Sequence, residues 1–332
     1  MLYNLLLYHR FDIIVTATED TVFDAWIGAV LRNNLLYATE QIRISGQDTT
    51  LFRICQHFPL SEQHPLYKEL KDGFPAPYYL FVRELDTVEL VNLPAGRQIS
   101  FSLVLIGEIS RYISYFINAI DFMCRKGIGM YSKPFMLTEV REVSAMGENR
   151  IMYRNGAIVS DRLLFPVDME TVQSVLSTST LTDRMRITFE SPVCLIKQRK
   201  RSEVPGYQEM SNLFPGFYQI VRTAAYRLEK LNALYAAPDD MDLYNRSHEK
   251  IEPYLKRAAW LEIEEINLKR IELKSSRRKN RNETRIPLVG LSGEMIFRGN
   301  YKPYITILKF MENLGVGHAL TFGFGKFKIE MI

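Results

Sequence analysis

The sequence predicts an α+β fold built from two similar domains, and two observations lead to this prediction. In the first half, a strand-like segment is followed by Gly107, an amphipathic helical segment, a Gly-x-Gly turn and another strand-like segment. The same order recurs near the C-terminus, where Gly299 follows one strand-like segment and Gly315-Val-Gly317 precedes the next. A repeated order of this kind indicates two copies of one structural unit.

The first half contains four short segments that predict strands. They are rich in β-branched and aromatic residues and cover residues 11–17, 78–83, 98–106 and 135–143. In addition, Asn155-Gly156 lies between apolar residues, which is a strong signal for a β-hairpin turn. We therefore expect a small antiparallel sheet in this half.

Two helices are predicted to cover that sheet. Apolar residues recur every three or four positions over residues 108–125, and Gly127-Ile-Gly129 ends the pattern. A second helix is predicted over 21–38, with Thr21 as its N-cap. Its apolar stripe comprises Phe23, Trp26, Ile27, Val30, Leu31 and Leu35.

The second half repeats these elements in the same order. A helix is predicted over 215–236, and a charged helical stretch over 253–273. A strand over 294–298, a helix over 303–314 and a strand over 326–331 complete the unit.

Each unit resembles half of a β-α-β-β-α-β ferredoxin-like domain, in which helices cover one face of an antiparallel sheet. The predicted architecture is two tandem ferredoxin-like (RRM-like) domains with a C-terminal glycine-rich loop. The N-terminal domain covers residues 1–183, with an inserted loop at 45–75 and the hairpin near residue 155. The C-terminal domain covers 184–332, with a basic loop at 269–285 and the glycine-rich loop at 315–325.

Composition excludes several classes of protein. With 47% hydrophobic and 24% charged residues over 332 positions, the chain is not a disordered one. Three widely spaced cysteines form neither a disulfide framework nor a cysteine-built zinc site, so we expect a reduced, cytoplasmic protein. The apolar run at the N-terminus is too short for a signal peptide, and no run of eighteen apolar residues predicts a membrane span.

Basic residues are concentrated in one segment. Residues 269–285 contain eight basic and two acidic residues, a local balance of +6, whereas the whole chain carries +4. A second basic cluster lies at 197–201. Such clusters indicate a polyanionic partner, because cationic side chains bind phosphates. The alternative is a solvated loop whose charges keep the protein soluble.

Several motifs together resemble those of a known family. The closing pattern runs from Leu291-Ser-Gly-Glu-Met-Ile-Phe-Arg-Gly299 through a helix to Gly315-Val-Gly-His-Ala-Leu-Thr-Phe-Gly-Phe-Gly325. It resembles the C-terminal signature of CRISPR-associated pre-crRNA-processing endoribonucleases of the RAMP superfamily. Further matches, in the family's order, are Gly28-Ala-Val-Leu-Arg32, His64-Pro-Leu-Tyr67, Pro77-Tyr-Tyr-Leu-Phe81, the block from Phe101 to Phe135, and Phe189-Glu-Ser-Pro192.

The resemblance implies a function. Family members bind one CRISPR repeat in precursor RNA and cut it on the 3′ side of a stem, without a metal ion or cofactor. The neighbouring 2′-hydroxyl is the nucleophile, so the product ends in a 2′,3′-cyclic phosphate. Relatives with a cysteine-rich loop can hold metal, but here only Cys55 stands in that region, so no metal site is expected.

The resemblance also implies which residues contact RNA. The glycine-rich loop would let the RNA backbone approach peptide N–H groups, and the basic clusters would bind phosphates. The predicted RNA-binding residues are Gly315, Gly317, His318, Gly323, Gly325, Arg199, Lys200, Arg201, Arg277, Arg278, Lys279 and Arg281. A structural alternative is that the glycines only build tight turns.

Cleavage needs a base, an acid and a group that stabilises charge on the phosphorus centre, and histidine can be base or acid near neutral pH. The family places its catalytic histidine on the first helix or just beyond it, which makes His57 and His64 the candidates, with His318 as a third. We expect Tyr37 to position the 2′-hydroxyl. Lys68 or Arg53 would face the phosphate.

The two other histidines are not candidates. We expect His9 at a sheet edge or the surface and His248 exposed before a helix.

Other functions stay open at this stage. A noncatalytic RAMP subunit that binds RNA in a CRISPR effector complex would share the fold and the glycine-rich loop. A small-molecule enzyme with a phosphate-binding loop is disfavoured, because such loops follow a strand and precede a helix, whereas here the glycines follow a helix. The expected partners are CRISPR repeat RNA and other CRISPR effector subunits, and the protein is expected to be a monomer or homodimer.

Overall fold

The computed structural model describes residues 5–23, 26–71, 73–82, 91–129, 131–178, 182–195, 215–278 and 285–332. Among the predicted RNA-binding residues, Arg199, Lys200, Arg201, Lys279 and Arg281 lie outside these ranges. None of the described helices combines the length and the apolar character that a membrane crossing requires.

The described strands are β1 Tyr8–Ala17, β2 Thr21–Phe23, β3 Tyr78–Val82, β4 Val91–Leu93, β5 Gln98–Ile106, β6 Phe135–Val143, β7 Asn149–Arg154, β8 Ala157–Ile158, β9 Arg184–Val193, β10 Glu262–Arg278, β11 Arg285–Arg298 and β12 Phe327–Met331. The α-helices are α1 Ile27–Gln41, α2 Leu51–Cys55, α3 Tyr67–Leu70, α4 Ile113–Lys126, α5 Met169–Ser177, α6 Phe217–Tyr235, α7 Met241–Lys256 and α8 Lys302–Met311. Short 3-10 helices occupy Gly107–Tyr112, Arg257–Trp260 and Leu320–Phe322.

The first sheet has the strand order β3-β5-β1-β6-β7-β8, with antiparallel neighbours. Helix α1 follows β1 and helix α4 follows β5, which is the β-α-β-β-α-β order of a ferredoxin-like domain. Alternate residues of β1 point into one apolar core with both helices, as Phe11 and Ile13 do beside Phe116. The hairpin predicted at Asn155-Gly156 is confirmed, and both residues have positive φ, +48° and +92°.

The second sheet has the order β10-β11-β9-β12, and α6 and α8 supply its helices. This is again the ferredoxin-like order, so the predicted architecture of two such domains is confirmed. The first strand of this sheet begins at Arg184. In α6 the residues predicted to face inward are all buried, namely Ile220, Ala224, Leu228, Leu231 and Leu234.

The helix predicted over 21–38 was wrong at its start. Helix α1 begins at Ile27, and its N-cap residue Trp26 makes no side-chain cap. Thr21 instead lies in strand β2 and pairs with Leu93 of β4. The β-branched and aromatic side chains of Thr21-Val-Phe23 suit a strand, and the partner strand lies some seventy residues away along the chain, so no local pattern revealed it.

The helical stretch predicted over 253–273 was also wrong. Helix α7 ends at Lys256, and strand β10 begins at Glu262. Of the basic segment predicted as a loop over 269–285, residues 269–278 belong instead to β10, and Arg285 begins β11. Long-range pairing along β11 stabilises the extended backbone and overrides the helical propensity of this Glu- and Lys-rich segment.

His9 does not lie at a sheet edge or on the surface, as the sequence had suggested. It is buried in β1, a central strand, and its Nδ1 lies 2.7 Å from Oε1 of Glu142. Burial raises the pKa of Glu142, but hydrogen bonds from His9 and from the backbone of Phe165 and Leu164 outweigh it and hold the pKa below its usual value. His248 lies within α7 and not before it, and its ring is exposed as expected.

Candidate nucleic-acid interface

The glycine-rich loop is fastened to the end of strand β9. The backbone N–H of His318 donates to the carbonyl of Cys194 at 2.7 Å, and that of Gly325 donates to Pro192 at 2.9 Å. A third backbone bond, from Val316 to Gly325 at 2.9 Å, closes the loop on itself. The loop is therefore a fixed part of the second domain.

Two of its glycines are required by this closure. Gly317 and Gly325 have φ of +96° and +79°, a region that favours glycine. A Cβ atom on Gly317 would lie 2.5 Å from the carbonyl oxygen of Cys194, and one on Gly325 would lie 2.2 Å from that of Val316. Packing alone thus explains glycine at these positions, as the structural alternative supposed, and their contact with RNA stays a prediction.

The loop also contacts the first domain. The hydroxyl of Tyr79 donates to the carbonyl of Phe324 at 2.7 Å, and the indole N–H of Trp26 donates to that of Phe322 at 2.6 Å. Helix α1 approaches so closely that a Cβ on Gly28 would lie 2.5 Å from the Phe322 oxygen. The sequence motif that begins at Gly28 is therefore part of the junction between the domains.

We call this junction the glycine-loop seam. It consists of residues 26–32 at the start of α1, residues 192–194 at the end of β9, and residues 315–325. Arg32 contributes a cation there, because its guanidinium carbon lies 5.2 Å from the centre of the Phe322 ring.

Strand β10 brings the basic segment to the glycine-loop seam. Its buried Leu273 and half-buried Ile271 pack with Trp26, Ala29, Cys194 and Phe324 in one apolar cluster. Arg277 and Arg278 follow in the same strand, about 13–17 Å further along the backbone. The fold therefore places the start of this basic segment beside α1 and the glycine-rich loop.

The inserted loop 45–75 contacts the second domain elsewhere. Leu60, Leu66 and Leu70 pack against Ala233 and Leu234 of α6. Two polar contacts accompany them, an ion pair between Lys230 and Glu69 and a hydrogen bond from the Tyr235 hydroxyl to the Pro75 carbonyl. We call this second junction the insert seam.

The predicted catalytic residues have different surroundings. His57 is exposed just after α2, a helix that packs against α1, and Lys68 is exposed in α3. Tyr37 is 46% exposed on α1, with its ring centre 6.3 Å from that of Phe122. The structure therefore does not bring these three side chains together through any contact that it shows within its described residues.

His64 is the most buried of the predicted catalytic residues, and its catalytic role stays a prediction. Its side chain is buried, its Nδ1 accepts a hydrogen bond from the backbone N–H of Leu66 at 3.1 Å, and its ring centre lies 5.0 Å from that of Tyr244. Burial lowers the pKa of this ring. Tyr244, which lies against this ring, belongs to α7 of the second domain.

Two cations near the glycine-loop seam, the buried Lys326 and the partly buried Arg227, were missed from sequence. The Nζ of Lys326 donates to the carbonyl of Glu312 at 2.8 Å and lies 4.7 Å from the centre of the Phe81 ring. The guanidinium of Arg227 donates to the carbonyl of Leu314 at 3.1 Å. Burial lowers the pKa of Lys326 to about 8 and that of Arg227 to about 10.

A sequence signal existed for Arg227 alone. It stands three residues after Ala224 and four before Leu231, beside the apolar stripe of α6, so its partial burial could have been inferred. Within the described residues, no group of three His, Cys, Asp or Glu side chains is placed to hold a metal ion.

Fold and site together define a class of protein, that of tandem ferredoxin-like domains joined by a glycine-rich loop. Residues 6–164 match a family model described as an N-terminal domain, and residues 187–327 match the model of the CRISPR-associated endoribonuclease Cas6. No curated protein has a significantly similar sequence.

Solved structures agree with this fold. A Cas6 product complex is 12% identical, covers 98% of this chain and 99% of its own, and has a TM-score of 0.52. Thermus thermophilus Cas6 is 11% identical over the same shares, with a TM-score of 0.50. A partial Cas6-RT-Cas1–Cas2 complex is 14% identical, with a TM-score of 0.59 over 100% of this chain and 47% of that one.

These identities show the shared fold, and the family model supplies the assignment. Residues 187–327 are therefore assigned as a Cas6 domain, the part of the chain that this family model matches.

Proposed function

We propose that this chain cleaves CRISPR repeat RNA in precursor transcripts without a metal ion, through attack by the RNA's own 2′-hydroxyl. The observation that carries the proposal is the glycine-loop seam. There the C-terminal signature loop of the family is hydrogen-bonded to both domains, next to α1 and to a basic strand. Helix, loop and cations thus border one surface that an RNA stem could contact.

The basic hairpin of β10 and β11 supports the RNA-binding part of the proposal. Its strand carries Arg277 and Arg278 outward from the point where Leu273 packs on the first domain. Phosphate contacts by such side chains supply affinity that does not depend on sequence. We retain Gly315, Gly323 and His318 as RNA contacts of the loop itself.

The histidines differ in their availability for catalysis. His9 is buried against Glu142, His64 is buried under Tyr244, and His248 is hydrogen-bonded to Glu229 on the helix pair α6 and α7. His57 is exposed on the insert, and His318 is half-buried within the glycine-rich loop. We therefore propose His57 as the principal acid or base and His318 as the second candidate.

The proposed reaction balances without a co-reactant. The base removes the 2′-hydroxyl proton, the 2′-oxygen attacks phosphorus, and the bond from phosphorus to the 5′-oxygen breaks as that oxygen receives a proton. Tyr37 would position the 2′-hydroxyl, and the ammonium group of Lys68 would stabilise the negative charge. The products are a 2′,3′-cyclic phosphate and a 5′-hydroxyl.

A cleavage assay with labelled repeat RNA in EDTA tests this proposal. We expect one cut that leaves a cyclic phosphate, and a rate loss of about 100-fold or more in His57→Ala with RNA affinity unchanged. The matched control is His248→Ala, which removes an exposed imidazole from α7 and should cut at the normal rate. Loss in His318→Ala alone would transfer the catalytic role to the loop.

Two outcomes would reject parts of the proposal. Tight binding of the repeat with no cut by the wild-type protein would identify a noncatalytic RNA-binding subunit. A cut that needs a divalent ion would reject the metal-free mechanism.

The partners and location stay predictions. One similar solved structure is a complex that joins Cas6 to Cas1 and Cas2, so we extend to this chain the expectation of other CRISPR proteins as partners. The cytoplasmic location expected from the cysteines is likewise retained.

A further inference from the structure

Strand β10 forms one edge of the second sheet. It pairs with β11 on one side, and on its other side no described strand pairs with it. The backbone N–H and C=O groups along such an edge are a template for another strand. An edge strand of 17 residues is long, so the question is what covers it.

The first part of this edge is unusually exposed. All residues from Glu262 to Asn267 are exposed, and these include two large apolar side chains, Ile263 at 41% and Ile266 at 39%. Apolar side chains on an open edge strand favour association, and charged side chains oppose it unless opposite charges face each other. This part of β10 therefore has the character of a contact surface.

The order of charges indicates the occupant. Glu264 and Glu265 precede Ile266-Asn267-Leu268, and Lys269 and Arg270 follow. Suppose that two copies of the strand pair antiparallel, with the two Asn267 residues opposite each other. A residue before Asn267 then faces the residue that lies the same number of positions after Asn267 in the second copy. Glu265 then faces Lys269 of the second copy, and Ile266 faces its Leu268.

Twofold symmetry makes every such pair occur twice. Opposite charges that face each other across paired strands stabilise the pairing. The register of β10 against β11 shifts only between Ile263 and Glu265 and again beyond Lys274, so residues 265–269 lie in a regular stretch. In the described part of the chain, neither Glu265 nor Lys269 forms a salt bridge.

The flanking charged pairs contribute less, because Glu262 would face Glu272, which carries the same charge. Glu264 would face Arg270, but Glu264 already lies 2.8 Å from Arg184, and Arg270 lies 3.9 Å from Glu272. The specificity of the register therefore depends on Glu265 and Lys269.

We propose that β10 pairs antiparallel with β10 of a second copy of this chain, in the register centred on Asn267. The two four-stranded sheets then form one continuous sheet of eight strands. Antiparallel pairing directs residues 277 and 278 of the two copies away from each other. The paired stretch is short, so the dimer is weak, with a Kd in the micromolar range.

Sedimentation velocity of RNA-free protein from about 1 to 200 µM tests the proposal. We expect wild-type protein to dimerise over this range. Glu265→Lys places like charges opposite each other, as does Lys269→Glu, and each should raise Kd about tenfold or more. Glu148→Lys, an exposed charge reversal in the turn between β6 and β7, is the control and should dimerise normally.

Charge exchange distinguishes this register from any other interface. The double variant Glu265→Lys with Lys269→Glu restores both pairs and should dimerise as wild type does. A mixture of the two single variants should form heterodimers, although each alone is monomeric. A wild-type protein that is monomeric at every concentration, or a dimer that both single variants leave intact, would overturn the proposal.

This assay contains no RNA, so its result is independent of the proposed cleavage. A monomeric protein that still cuts its repeat would reject the strand pairing alone. A dimer that does not cut would reject the nuclease alone.

Discussion

The two junctions between the domains are built from different parts of the chain. At the glycine-loop seam, backbone atoms meet directly, and carbonyl oxygens of Phe322 and Phe324 accept hydrogen bonds from Trp26 and Tyr79. At the insert seam, branched side chains such as Leu66 and Leu70 pack against α6. We therefore expect the insert seam to tolerate substitutions better than the glycine-loop seam, because side chains can repack around a change and closely packed backbones cannot.

The largest loss of stability is expected when a single methyl group is added at the glycine-loop seam. Gly325→Ala places Cβ 2.2 Å from the Val316 oxygen at a φ of +79°, which adds a clash to backbone strain. We expect a loss of about 4 kcal/mol in the free energy of unfolding, measured by urea denaturation.

The control for this change is Gly147→Ala. Gly147 also has a positive φ, +87°, but a Cβ there meets nothing within 4 Å. Strain alone should cost about 1–2 kcal/mol. Equal losses of stability in the two variants would show that the clash with Val316 does not contribute to the free energy of unfolding.

At the insert seam, stability should depend on the volume of the buried side chains and not on their shape. Leu70→Ala removes a side chain that is 3% exposed and should lower the free energy of unfolding by about 3 kcal/mol. Leu70→Met keeps the volume and should cost less than about 1.5 kcal/mol. If the methionine variant loses as much as the alanine variant, the two seams do not differ in the way described.

Tyr79 tests the polar contacts that its hydroxyl makes across the glycine-loop seam. Tyr79→Phe removes the hydroxyl that donates to the Phe324 carbonyl at 2.7 Å and leaves that carbonyl without this donor. We expect a loss of about 1–2 kcal/mol by thermal or urea denaturation. Tyr67→Phe, whose hydroxyl lies 3.4 Å from Glu62 at the surface, should change stability very little.

The smallest effect is a pH dependence caused by Lys326. Burial lowers its folded-state pKa to about 8 from 10.5, so the unfolded chain binds more protons between these values. Stability should therefore rise with pH in this window, by about 1 kcal/mol from pH 8 to pH 9.

Two variants test whether Lys326 causes this rise in stability with pH. Lys326→Met should abolish it, and Lys328→Met, which removes an exposed neighbouring lysine, should preserve it. A rise that survives in Lys326→Met must come from another group.

Local patterns predicted most of the elements in both domains. Strands β1, β5 and β6, the Asn155-Gly156 hairpin and helices α4, α6 and α8 were found, because each carries its own periodicity or turn residues. Strands β2 and β10 were missed because only their partners along β4 and β11 make them strands. No local pattern can show a pairing between distant segments.

The candidate site was harder to predict for the same reason. The cluster of glycines was visible, but its cause at Gly317 and Gly325 is contact with Cys194 and Val316, which only the folded chain brings near. His64 looked available in its loop, yet Tyr244, about 180 residues later, covers it. Burial of a loop residue depends on what packs over it, and sequence spacing gives no sign of this.

The hydrogen bond between Trp26 and Phe322 has a consequence for the timing of folding. The two residues are 296 positions apart, so at about 5–20 residues per second the ribosome needs roughly 15–60 s to make the second after the first. During that interval the first domain can form its own sheet, but the face around Trp26 and Gly28 is without its cover. A nascent chain therefore acquires its last interdomain contacts only as synthesis reaches the glycine-rich loop.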